Sequence, residues 1–82
     1  MHSPRYTLEC EDLTPSQANV LLWLAEGKTQ REIASAFSVS HKTIEIHLRF
    51  AKERLGARTP AEALAICFSR GYMKERLLVT GG

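Results

Sequence analysis

Residues 29–50, TQREIASAFSVSHKTIEIHLRF, decide the fold. Thr29 is a hydroxyl residue with Glu32 three places on, the spacing of a capping box that opens a helix. Ile33, Ala34 and Phe37 then fall on one face. Phe37-Ser38-Val39-Ser40 interrupts the pattern, and Ser40 is a second cap. From there Ile44, Leu48, Ala51 and Leu55 recur at the spacing of a buried helical stripe, with Gly56 just past the end to stop it. The stretch therefore predicts a short helix, a tight break and a longer helix running to about Leu55.

The same grammar recurs on both sides. Thr14, Pro15 and Gln17 make a cap, a proline at the first helical position and a box partner. Val20, Leu21 and Leu24 supply that helix's stripe, with Trp23 beside it and Gly27 to end it. Thr59, Pro60 and Glu62 open a fourth helix that Gly71 closes. Residues 1–12 lack periodicity and read as a tail or linker, and 74–82 as a C-terminal tail. No segment alternates with period two, so the expected fold is all-α, a four-helix domain over 13–73 with no sheet. The similar helix starts reflect shared capping chemistry and form no sequence repeat.

Composition bounds the function. The 82 residues allow one domain with a modest core, and 44% hydrophobic content is too high for a disordered chain. There is no apolar run long enough for a membrane span and no signal sequence at the start, so a cytoplasmic protein with two reduced thiols, Cys10 and Cys67, is expected. The net charge of +2 conceals an asymmetry. Residues 28–58 hold seven bases against three acids, a net of +4, whereas residues 1–27 hold one base against four acids, a net of −3. A solvated helix face could carry such an excess, but the excess coincides with the stretch quoted above.

A short helix, a break and a longer helix is the helix-turn-helix plan, in which the first helix braces the second and the second presents an outward face to the major groove. If Ile44, Leu48, Ala51 and Leu55 point inward, Glu45, Ile46 and Arg49 lie on another face. Lys42 stands near the helix N-terminus, where the dipole and a cation both favour phosphate. Other chemistry finds little support. His41, His47 and Cys67 match no zinc spacing. His47 reads as a packing or phosphate residue, and Trp23 as a core or groove-filling aromatic. No phosphate-binding loop, paired acids or nucleophile elbow is present, so neither an enzyme nor a cofactor is expected.

From Leu13 to about Met73 the chain resembles the LuxR-type (GerE-like) helix-turn-helix domain of bacterial transcription regulators. The resemblance rests on LT at 13, EIA at 32, Ser40, TIE.HL at 43–48 and RLGA at 54. WLAEGKT, from Trp23 to Thr29, is closer to the quorum-sensing branch. The resemblance implies a bacterial regulator that dimerises through its last helix on two-fold related, double-stranded DNA. It implies base contacts from Glu45, Ile46 and Arg49, and phosphate contacts from Lys28, Thr29, Lys42, Thr43 and Lys52. Quorum-sensing relatives carry an N-terminal signal-binding domain absent from this chain, so the expectation is an excised DNA-binding domain or a free-standing one.

The sequence also departs from that pattern. Ser16-Gln17 and Pro60 replace residues that are often charged in the family, and Glu45 stands where many relatives carry Lys or Arg. A carboxylate repels phosphate and can only accept a hydrogen bond, for example from a cytosine amino group. Glu45 therefore supports an alternative: a non-DNA-binding antagonist that dimerises with a related regulator. On the fourth helix, Leu64 and Phe68 are expected in the core. Ala61, Ala65 and Cys67 are left on a small-residue face suited to a weak two-fold contact.

Overall fold

The computed structural model describes residues 1–76. Its elements run β1 (Tyr6–Leu8), α1 (Pro15–Ala25), α2 (Gln30–Phe37), α3 (His41–Leu55), α4 (Pro60–Ser69) and β2 (Met73–Glu75). The four expected helices are all present, each opened by the expected cap. Thr14 and Gln17 form a reciprocal box at 3.1–3.2 Å, and Thr29 and Glu32 do the same at 3.0–3.1 Å. In both, two otherwise orphaned amides of the first turn are satisfied. At α4 the box is offset: Thr59 Oγ1 accepts from the Glu62 amide, but the Glu62 carboxylate accepts from the Arg58 amide at 2.8 Å.

All four helices stop alike, with a residue in the left-handed region and a hydrogen bond reaching five residues back. Gly27, Gly56 and Gly71 take the left-handed position at three of the ends. At the α2 end Ser38 does so, at φ 56°, and the Val39 amide donates to the Ala34 carbonyl at 3.0 Å. This is a Schellman-type stop, which turns the chain sharply enough for only three residues to separate Phe37 from the start of α3.

α1 is the central element, packed against α2, α3, α4 and β1. Val20, Leu21 and Leu22 are all fully buried. Leu22 lies outside the expected stripe, and Leu24 and Trp23 are only half-buried. A helix enclosed on several sides buries more than one face, so a one-stripe reading misassigns its edges. Trp23 meets Phe37 edge to face, with ring centroids 5.8 Å apart, which ties α1 to the end of α2.

The expectation of no sheet is corrected. β1 and β2 pair antiparallel, with Tyr6 opposite Glu75 and Leu8 opposite Met73, and His2 bridges to Thr7 on the other side of β1. The first twelve residues are accordingly not a loose tail. Glu26 Oε1 accepts from the Arg5 amide at 3.1 Å, and the Ser3 and Arg5 carbonyls accept from Arg76. Leu8 is 2% exposed and Met73 1%, so both strands of the little sheet contribute to the core from the same face. Residues 74 and 75, expected in the C-terminal tail, belong to β2, while 77–82 of that stretch lie outside the described residues.

Replacing Leu8 with Ala tests this closure. Removing a buried leucine side chain should cost about 2–5 kcal/mol. A lowered urea midpoint with an unchanged slope is expected, whereas a dangling segment would leave the midpoint where it was.

Candidate nucleic-acid interface

Burial fixes the rotation of α3. Ile44, Leu48, Ala51 and Leu55 are its buried residues, as the spacing predicted. That choice turns Lys42, Glu45, Ile46, Arg49 and Lys52 away from the core. Lys42, Glu45, Arg49 and Lys52 follow at intervals of three and four, so they form one row along the helix. Ile46 is half-buried beside that row, and Glu45 and Arg49 are exposed.

The start of α3 is rigidly set. Ser40 Oγ accepts from the Thr43 amide at 3.1 Å and lies 3.0 Å from Thr43 Oγ1. The two hydroxyls thus form a polar lip at the positive end of the helix dipole, next to Lys42. Thr29 is held in the same manner one helix earlier. Its amide and hydroxyl engage Glu32, whose pKa lies below its ordinary value because of the backbone and side-chain hydrogen bonds from Thr29, with a smaller attraction from Lys28. Lys28 itself is exposed and leads directly into that cap.

The electrostatics of the row differ from the sequence expectation at one point. Glu45 is not an isolated carboxylate: Oε1 lies 3.3 Å from His41 Nδ1, and Oε2 lies 4.0 Å from Lys42 Nζ. Both partners are one turn towards the helix start. Either protonation state of His41 can supply an N–H to Glu45. Among the described residues Lys28, Arg49 and Lys52 make no ion pair, so their charge is available to a partner. The Arg49 guanidinium instead lies over the ring of Phe50, its Cζ 5.2 Å from the centroid. The sequence reading did not single out Phe50. Its signal was a large apolar residue outside the buried stripe.

Residues 11–67 match the family described as "Bacterial regulatory proteins, luxR family". The match spans more than half the chain and covers α1, α2, α3 and most of α4. The chain belongs to the luxR family of bacterial regulatory proteins. Both strands fall outside the matched segment. The chain is also similar to "Transcriptional activator protein TraR" of Agrobacterium vitis, 36% identical over 69 residues, which covers 80% of this chain and 30% of that protein. "Transcriptional activator protein BjaR1" of Bradyrhizobium diazoefficiens is 43% identical over 56 residues, 66% of this chain and 23% of its own. "HTH-type quorum sensing-dependent transcriptional regulator RpaR" of Rhodopseudomonas palustris is 32% identical over 62 residues, 76% and 26% of the two chains. The chain thus spans less than a third of the length of the curated relatives it matches.

The luxR-family match places the chain among bacterial regulatory proteins, and helices α1 to α4 carry the matched segment. Among the described residues no helix is long and apolar enough to cross a membrane.

The face of α4 needs a correction. Ala61 and Ala65 are exposed, as expected, but Cys67 is fully buried and cannot belong to an outer face. Ala63 and Cys67 form the inward pair, one turn apart, and their small size lets α4 lie close against α1 and α3. Leu64 is displaced to a half-buried position. Phe68 is 43% exposed and finds a partner in Tyr6 of β1, at 5.5 Å between centroids. An element that looked like a tail is what covers part of the phenylalanine ring.

Both thiols are free, Cys10 half-buried and Cys67 buried. Burial pushes the Cys67 thiol up to about 11, Cys10 adds to the rise and Arg70 opposes it. The folded chain therefore keeps this proton where the unfolded chain has lost it. Its contribution to stability is complete below the exposed-thiol value of about 8.5 and disappears as pH rises through the folded one. In denaturant titrations, wild-type protein should weaken across that alkaline window relative to Cys67→Ala, and equal pH profiles would refute the assignment.

Proposed function

We propose that this chain is the DNA-binding part of a sequence-specific transcription regulator that lays α3 in the major groove of double-stranded DNA. One observation carries the reading. Burial of the Ile44 stripe leaves the cations Lys42, Arg49 and Lys52 outward on the second helix of a helix-turn-helix, with Arg49 and Lys52 in no ion pair among the described residues. In this reading Ile46 and Arg49 meet base edges and Glu45 accepts from one, while Lys28, Thr29, Lys42, Thr43 and Lys52 hold phosphates. The Ser40–Thr43 lip suits a phosphate oxygen because the bond between the two hydroxyls uses only one of their protons and leaves the other to donate.

The antagonist alternative drew its force from a lone acid on the groove face. Glu45 has His41 and Lys42 against it, so the local field at phosphate is less repulsive than the sequence alone implies. The regulator reading also includes a weak homodimer through the exposed Ala61 and Ala65 of α4, which would set two copies of α3 about one helical turn of DNA apart. The relatives' greater length and the quorum-sensing description of RpaR support a whole protein with an N-terminal signal-binding domain, working in the bacterial cytoplasm with no enzymatic step of its own.

Salt dependence tests the DNA face. With roughly six phosphate contacts in a dimer, log K should fall with log salt at a slope near −5. Association with DNA that ignores salt, or no association at low salt, would remove this reading and favour the antagonist.

The dimer surface has its own test. Ala65→Glu should abolish cooperative binding to a two-fold site while the helical circular dichroism signal persists. Retained cooperativity would exclude α4 as the contact.

A further inference from the structure

Phe50 is a large apolar side chain on the outward half of α3, outside the core. It is 42% exposed. It follows Ile46 by four residues and Thr43 by seven, so the Thr43 methyl, Ile46 and Phe50 line one strip of the helix. Burial of Ile44, Leu48, Ala51 and Leu55 turns that strip away from the core, alongside Lys42 and Arg49. The Phe50 ring also holds the Arg49 guanidinium in cation–π geometry, at 5.2 Å.

The flanking cations say what the strip meets. Lys42 and Arg49 make the rim attractive to a polyanion. Within the major groove of DNA the base edges offer one apolar group, the 5-methyl of thymine, and apolar side chains recognise thymine by contact with it. Arg49, steadied by the ring, is a bidentate donor suited to guanine O6 and N7 beside it. Stacking removes part of the rotational freedom that an exposed arginine would otherwise lose on binding.

We propose that Phe50 is a specificity-determining residue: its ring, with Ile46, packs on a thymine 5-methyl in each half-site and holds Arg49 for a neighbouring base edge. This rests on the reading that α3 lies in the major groove.

The experiment starts from duplexes that wild-type chain selects out of a random pool. Each thymine in turn is replaced by deoxyuridine, which deletes only the methyl group, and binding is measured for wild type, Phe50→Ala and Phe50→Leu. One thymine per half-site should be sensitive in the wild type, with binding about fourfold weaker for the lost burial of one methyl group. Phe50→Ala should be insensitive at that thymine and Phe50→Leu intermediate, while all three keep the same helical signal and salt slope. If wild type binds selectively but Phe50→Ala shows the same thymine sensitivity and selects the same sites, Phe50 faces a protein surface and the proposal fails alone. If wild type selects no sequence, the groove reading fails and takes the proposal with it.

Discussion

The burial of four side chains on one helix controls the rest of this molecule. Ile44, Leu48, Ala51 and Leu55 occupy the interior side of α3, and no other rotation of that helix would hide these four together. Because the rotation is set from within, the outward side chains have no freedom to choose their direction. Lys42, Arg49 and Lys52 are presented by the same packing that stabilises the fold. A scaffold of this kind can alter its outer residues without disturbing its interior, which is how one architecture can serve regulators with different DNA sites.

The stop at the end of α2 is the second determinant. A serine holds a left-handed conformation there, where three other helix ends use glycine. Serine pays a backbone strain that glycine would avoid. It keeps the chain stiffer in the unfolded and folded states alike, and the next helix starts at once under the Ser40 cap. The two helices are thereby held by a short link with little room for variation in their crossing.

What the residues announced and what they concealed divide along physical lines. Every helix was legible because a cap, a stripe and a stop are local signals, each readable within a few residues of Thr14, Thr29, Ser40 and Thr59. The sheet was not, because strands of three residues are too short to display alternation, and their pairing joins opposite ends of the chain. The inward side of α4 was misassigned for a related reason. Size and apolarity put Phe68 inside and Cys67 outside, whereas the closeness of α1 and α3 admits only small side chains and Tyr6 shelters the phenylalanine from elsewhere. The phosphate and base candidates on α3 were legible as a face. The pairing of Glu45 with His41 and Lys42 follows helical spacing, yet its geometry is fixed only by side-chain placement.

The pairing of Tyr6 with Glu75 has a kinetic consequence. The helix contacts span shorter stretches of chain than the strand pairing does, and the sheet must close a loop that contains nearly the whole domain, the costlier closure. Closure of the strands is therefore expected to follow docking of the helices. Contacts formed that late act mainly on how long the folded state survives and little on how quickly it is reached. The sheet thus works as a latch on the lifetime of the helical domain.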